Sequence, residues 1–262
     1  MRLPSRRRIP RPRETPRFAP LDTMDYLDLT FPAPALNLAG DEALLNEREA
    51  GRGGELLRVW ESPVYFVALG RSRPARRDVN LDACRALSVP VYRRTSGGGT
   101  VLLGPGCLNY SLFLRMSPGS PYQKLSETYG AVLQKHQHMI SRLLGVETGL
   151  QGISDLTLGP RKFSGNAQRR KKHFLLFHGT FLLNFDLPLI SRLLPVPGEA
   201  PEYRAGRPHG EFLVNLNISP SELKDRLRET WNAADPLEEI PWDSMEGLAA
   251  GFISDPKWIH QF

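Results

Sequence analysis

The run Arg93-Arg94-Thr95-Ser96-Gly97-Gly98-Gly99-Thr100-Val101 constrains this chain more than any other stretch. Three consecutive glycines let the backbone take positive φ and approach another group closely, with N–H groups free to donate. The flanking segments, Val89–Arg93 and Thr100–Leu103, read as strands, so the glycines form the loop between them. Arg93 and Arg94 enter that loop as planar, permanently charged forks suited to carboxylate or phosphate oxygens. No Gly-Lys-Ser/Thr follows, so this is not a P-loop, and Gly97–Gly99 lacks the dinucleotide-fingerprint spacing. The run suits an anionic ligand. It also suits a plain glycine-rich turn with a solvated arginine pair.

Around the loop the pattern is that of one α+β domain with a mostly antiparallel or mixed sheet. Strands are expected at Tyr26–Phe31, Leu56–Trp60, Tyr65–Leu69, Leu108–Leu114, Leu156–Leu158, Phe163–Gln168, His173–Leu176 and Thr180–Phe185. Leu56–Trp60 and Tyr65–Leu69 read as a hairpin. Gly70–Asn80 reads as a basic loop. Helices are expected at Asn37–Arg48, Leu81–Leu87, Tyr122–Leu144, Leu187–Leu194 and Ser219–Trp231, with Ser219 as cap and Pro220 at the first position. His136 and His138, two apart on the long helix, read as exposed residues rather than metal ligands. Ser244–Trp258 closes the domain. At 262 residues the chain is long enough to bury a core. Two cysteines make no disulfide scaffold, which suggests a reducing, cytoplasmic setting, and no apolar run is long enough to span a bilayer. The net charge of +6 owes much to residues 1–23, rich in Arg and Pro, which read as a disordered basic tail ahead of a domain over 24–262. Without that tail the charge gives little reason to expect a nucleic-acid partner.

A second motif is Gly152-Ile153-Ser154-Asp155-Leu156 followed by Gly159-Pro160-Arg161-Lys162-Phe163-Ser164-Gly165-Asn166-Ala167-Gln168. Gly-Pro marks a turn and places Lys162 at a strand start. Ser164, Gly165 and Ala167 leave room beside that strand for a ligand. Lys162 there would stabilise charge growing on a phosphorus or carbonyl centre, and Asp155 would help place Mg²⁺. A surface lysine at a turn is the plainer alternative. Arg169-Arg170-Lys171-Lys172 reads as a solvated hairpin loop, or as an attraction for an acidic protein partner. Phe177-His178-Gly179-Thr180 follows the lysine strand by a hairpin, near the same cavity.

Taken together, these residues resemble the lipoate–protein ligase A family of the biotin/lipoate ligase superfamily. The resemblance runs from about Asn37 to Leu216. It rests on Asn37-Leu38-Ala39 with Asp41-Glu42-Ala43, Gly70-Arg71, Arg93-Arg94 with Gly97–Gly99, and Asn109-Tyr110-Ser111. It continues through Ser154-Asp155-Leu156, Arg161-Lys162 with Ser164-Gly165-Asn166-Ala167, and His178-Gly179-Thr180. It implies an α/β fold shared with class II aminoacyl-tRNA synthetases. It also implies activation of lipoate or octanoate by Mg·ATP to an acyl-adenylate, without a tightly bound cofactor. A lysine of a 2-oxoacid dehydrogenase lipoyl domain or glycine-cleavage H protein would then take the acyl group. Lys162 matches the family's essential lysine. Arg93, Arg94, Ser96 and the glycines match the loop bordering acyl tunnel and nucleotide, and Ser154 and Asp155 the pair near metal and phosphates. Asn109, Ser164, Gly165, Ala167, His178, Gly179 and Thr180 complete the binding set.

The chain departs from the family after the glycines, where the usual His-Asp is replaced by Leu102-Leu103-Gly104-Pro105-Gly106-Cys107. Ser72-Arg73-Pro74 replaces the Gln-Asn that often follows Gly-Arg, and the C-terminal accessory domain of longer ligases is reduced or missing. The rival reading is octanoyl transfer from acyl carrier protein. Relatives that do this through a cysteine carry it just before the essential lysine, and Gly152–Arg161 has none. Cys107 is the remaining candidate nucleophile, since a thiolate near Arg93 or Arg94 would be favoured; the plainer reading is a small buried residue. A non-catalytic acyl-binding homologue is a third reading, against which the retained Lys162 argues.

Overall fold

Eight strands form the central sheet of the computed structural model, which describes residues 23–261. The basic tail expected over 1–23 lies outside the described residues except for Thr23. The strands are β1 (Met24–Asp28), β2 (Leu56–Trp60), β3 (Phe66–Leu69), β4 (Val91–Arg93), β5 (Val101–Leu103), β6 (Cys107–Arg115), β7 (Gly149–Gln151), β8 (Asp155–Leu158), β9 (Arg161–Arg170), β10 (Phe174–Leu182) and β11 (Ala233–Pro236). The α-helices are α1 (Pro34–Glu49), α2 (Ala75–Asp78), α3 (Leu81–Ala86), α4 (Leu125–Leu144), α5 (Leu187–Leu193), α6 (His209–Phe212), α7 (Pro220–Trp231), α8 (Trp242–Leu248) and α9 (Pro256–Ile259).

The central order is β11-β1-β2-β6-β10-β9-β8-β7, parallel at the β11–β1–β2 end and antiparallel from β2 to β7. A second sheet, β4-β3-β5, pairs β3 parallel to β4 and antiparallel to β5. Parallel neighbours need a crossover, which α1 supplies between β1 and β2, and α2 with α3 between β3 and β4. On one face of the central sheet, Val132 and Ile140 of α4 and Leu223 and Leu227 of α7 pack against Leu112, Phe177 and Phe181. On the other lie α1 and the small sheet, joined through Leu38, Ala39, Phe66, Cys107 and Leu182. The mixed sheet flanked by helices is the α+β architecture expected from the sequence.

Helix α1 is fixed by polar groups as well as apolar ones. Pro34 opens it at the first turn, where the missing N–H costs nothing. Arg58 of β2 is fully buried and donates to Asp41 Oδ1 at 2.6 Å, the Asn37 carbonyl at 2.9 Å and Asn37 Oδ1 at 2.7 Å. Ser111 of β6 donates to the other Asp41 oxygen at 2.8 Å. A buried charge paired with a carboxylate and further acceptors is tolerated, whereas removing one partner of such a pair costs about 3–5 kcal/mol. The Asn37 and Asp41 of the family motif therefore bolt α1 to β2 and β6.

Several expectations are corrected. Leu56–Trp60 and Tyr65–Leu69 do not pair: β2 lies in the central sheet and β3 in the small one, with Trp60 and Phe66 stacked between them at 6.4 Å. His173–Leu176 and Thr180–Phe185 are not separate strands. Gly179 lies inside one continuous β10, where a neighbouring side chain uses its missing Cβ. His136 is fully buried, accepting a 2.8 Å hydrogen bond from the Trp231 indole of α7, and burial pushes its pKa down to about 3. The solvated hairpin loop expected over Arg169–Lys172 is shorter: it holds the exposed Lys172, whereas Arg169 and Arg170 end β9. Arg169 and Lys171 pair with buried Glu42 of α1, and Arg170 donates to the carbonyls of Tyr122 and Gln123. Ser219 precedes α7 as expected, but its hydroxyl bonds Ser221 rather than capping the helix. The Gly70–Asn80 stretch holds the short helix α2.

Candidate active site

Two cross-strand rows build the site. Asn109 of β6 faces Thr180 of β10, which faces Gly165 of β9, which faces Asp155 of β8. One step along, Ser111 faces His178, which faces Ala167. Directly opposed residues in antiparallel strands point to one face, and Thr180 and His178 alternate with Phe177 and Phe181, which pack toward α4. Both rows therefore face α1 and the small sheet.

Lys162 reaches this face through a β-bulge. Asp155 pairs with Gly165 and Leu156 with Ser164, but Thr157 pairs with Lys162, so Phe163 is an extra residue on β9. A bulge re-aims the side chains beyond it. Phe163 turns into the core on the α4 side, and Lys162 is left on the same face as Gly165. A Cβ on Gly165 would lie 2.8 Å from Lys162 Nζ, so the ammonium occupies the space that the glycine leaves. Lys162 Nζ meets Asp155 Oδ1 at 2.8 Å; Asp155 Oδ2 accepts from the Tyr203 hydroxyl at 2.8 Å, and Ser154 Oγ donates to Oδ1 at 3.3 Å. Burial and the Asp155 carboxylate raise the Tyr203 pKa, so the phenol stays a donor.

The glycine loop covers the second row. Gly98 takes φ of +85°, and a Cβ there would lie 3.2 Å from the Ala167 methyl. Gly97 and Gly99 border open space. Ser96 Oγ accepts from Arg94 Nε at 3.0 Å and shares a 2.7 Å hydrogen bond with His178 Nε2. Burial, with Arg94 nearby, pushes the His178 pKa down to about 3, so His178 is neutral and too weak a base to activate Ser96.

Both arginines, expected as ligand forks, bond backbone carbonyls in this structure. Arg94 donates to the carbonyls of Ala68, Gly97 and Gly99. Arg93 donates to the carbonyls of Gly70, Arg71, Trp258 and Ile259, and the Trp258 indole donates back to the Arg93 carbonyl. Their forks hold the protein's own backbone. Because a trans peptide points its C=O and N–H in opposite directions, the Arg94 contacts turn the N–H groups of Gly98 and Thr100 away from the guanidinium.

Two other expected residues face elsewhere. Ser164 is buried on the α4 side and bonds Asn166. Gly179 also faces that side, where a Cβ would meet Asn166 Oδ1 at 1.8 Å. Asn109 sits in the row but donates its amide to the Trp60 and Cys107 carbonyls. Cys107 is buried, and burial with Glu61 nearby pushes its thiol up to about 12, so the thiolate expected near the arginines does not form there. Cys84 is buried too. No group of three or more metal-ligating side chains occurs among the described residues. Asp155 alone suits only an ion such as Mg²⁺ that brings most of its oxygen ligands along, as a nucleotide complex does.

The sequence reading missed the segment that closes the Lys162 end. Val214 N–H donates to the Lys162 carbonyl at 3.0 Å, and Lys162 bridges Leu213. This brings in Tyr203, the buried Arg204 and His209. The available signal was a Pro- and Gly-rich stretch, 195–210, carrying an aromatic and several basic residues.

Residues 33–224 match the family model described as the lipoyl protein ligase A/B catalytic domain. A provisionally named lipoate-protein ligase A of Aeropyrum pernix is 34% identical over 217 residues, covering 81% of this chain and 76% of that protein. The octanoyltransferase LipM of Lysinibacillus sphaericus is 28% identical, covering 79% of this chain and 75% of its own. Against three further ligase relatives the chain spans only 45% to 47% of their length. The catalytic fold is shared with the bipartite lipoate protein ligase of Thermoplasma acidophilum, with a TM-score of 0.77 at 22% identity over 91% of this chain and 96% of that one.

Proposed function

The chain belongs to the lipoyl protein ligase A/B catalytic-domain family, and we propose that within it this protein is an ATP-dependent lipoate–protein ligase. The observation that carries the reading is Lys162 lying over Gly165, beside the glycine loop that covers Ala167. In the first step the carboxylate of lipoate or octanoate attacks the α-phosphorus of Mg·ATP, and pyrophosphate leaves. The ammonium of Lys162 offsets the charge that builds on the phosphoryl and carboxyl oxygens. A preorganised charge in a water-poor site counts for far more than in solvent. The Gly98 and Thr100 N–H groups are candidate donors to the same anion. In the second step a carrier-domain lysine amine attacks the acyl carbonyl, and AMP leaves with the bond electrons. Lipoyl domains and H protein are the acceptors we propose.

Octanoyl transfer through a cysteine is the rival, since a LipM relative matches most of the chain. Against it stand the cysteine-free segment Gly152–Arg161 and the burial of both thiols. The deciding experiment is pyrophosphate release from Mg·ATP with and without lipoate or octanoate, in wild type, Cys107→Ala and Lys162→Ala. Acid-dependent release that survives Cys107→Ala and falls by about 10²-fold or more in Lys162→Ala is expected. Silence with ATP, together with transfer from octanoyl-acyl carrier protein that fails in Cys107→Ala, overturns the ligase.

A further inference from the structure

Glu42 lies in α1, a long way in sequence from the glycine loop, yet it is buried at the loop's entrance. Its Oε2 accepts from the Thr95 hydroxyl at 2.7 Å. Arg169 of β9 pairs with the same carboxylate, Nε to Oε2 at 2.8 Å and Nη2 to Oε1 at 3.1 Å, while its Nη1 donates to the Thr95 carbonyl at 3.0 Å. Lys171 adds a longer contact at 3.4 Å. Thr95 is thus gripped at its hydroxyl and at its carbonyl by two groups that also grip each other. The next residue, Ser96, is held by Arg94 and His178.

We infer that Glu42, with Arg169, is a positioning residue for the glycine loop, acting through Thr95. The inference rests on the ligase reading for what the loop binds, but not for the restraint itself. A three-glycine loop has large backbone freedom to lose when it closes on an anion. Fixing its entrance at two atoms of one residue removes part of that cost before the ligand arrives. Neither Glu42 nor Arg169 need touch the ligand. Charge-assisted hydrogen bonds inside a protein are about twice as strong as neutral ones, so a loop held this way opens rarely.

The test separates restraint from mere space-filling. Thr95→Val keeps the shape and loses the hydroxyl, Thr95→Ser keeps the hydroxyl, and Glu42→Gln keeps an acceptor but loses the charge. Hydrogen exchange of the Ser96–Thr100 amides is measured in each, with the melting temperature and the α4 amides as controls. Exchange about tenfold faster in Thr95→Val, intermediate in Glu42→Gln and unchanged in Thr95→Ser is expected, with α4 unaffected. The KM for ATP should rise in the same order with kcat held within about twofold. Loop exchange in Thr95→Val equal to wild type overturns the proposal. Faster loop exchange in Thr95→Val, together with a wild-type protein that does not bind ATP, upholds the positioning and removes the ligase reading instead.

Discussion

Two glycines on neighbouring strands separate chemistry from stability at the scale of one methyl group. Gly165 faces the site, and the atoms a Cβ would meet belong to the far end of Lys162, which is free to swing. Gly165→Ala should therefore fold with a melting temperature near wild type while displacing the ammonium. A misplacement of about 1 Å costs on the order of 10² in rate. Gly179 faces the α4 side, where a Cβ would strike Asn166 and the Tyr110 ring, themselves joined by a 2.6 Å hydrogen bond. Gly179→Ala should cost about 1–3 kcal/mol through overpacking. Denaturant midpoints and pyrophosphate release on both variants check the pair; a Gly165→Ala protein with normal turnover would remove Lys162 from the mechanism. These opposite outcomes were not legible in sequence, because which face a strand residue takes depends on register, and here on a bulge. The motif Arg161-Lys162…Ser164-Gly165-Asn166-Ala167 named the right strand and could not say which of its residues look outward.

At the scale of elements, the site is made by sheet order. Rows drawn from β6, β10, β9 and β8 are contiguous only because these four strands are neighbours, and the glycine loop reaches them from the other sheet. The expected hairpin of Leu56–Trp60 with Tyr65–Leu69 failed at this level: proximity in sequence suggested pairing, but both segments are buried and serve different sheets. The strands and helices themselves were largely legible, since apolar periodicity reports them locally. His136 was misjudged because a polar residue on a helix reads as exposed unless its partner, here Trp231 some 95 residues on, is known. Helix α9 matters beyond its size. Truncation before Asp255 would strip Arg93 of its bonds to the Trp258 and Ile259 carbonyls, and a hydrogen bond to a charged group contributes about 1.5–3 kcal/mol. We expect a lower melting temperature and faster exchange in β4 and the glycine loop, with α4 little changed. Equal exchange in the loop before and after truncation would show that α9 plays no part in holding it.

Among the described residues, the fully buried His136 behind the sheet and the half-buried His178 in front of it have pKa values pushed down to about 3 by burial, and burial shifts His209 in the same direction. In the unfolded chain a histidine titrates near 6.5. Their contribution is therefore complete above pH 6.5 and is lost as the pH falls from there toward 3, because the unfolded state takes up the proton first. Stability should drop by about 2–4 kcal/mol between pH 7.5 and pH 5, read as the urea midpoint, and less in His136→Gln. A flat profile over that range would mean that one or both rings protonate in place. The Arg93 contacts also have a consequence in time. Trp258 follows Arg93 by 165 residues, yet its carbonyl and indole both clasp that arginine beside the loop. At ordinary synthesis rates the ribosome needs roughly 8–30 s to cover that distance. Once Leu182 has been made the nascent chain has every strand of the site, but the clasp on its loop waits for Trp258, so competence should arrive late in synthesis.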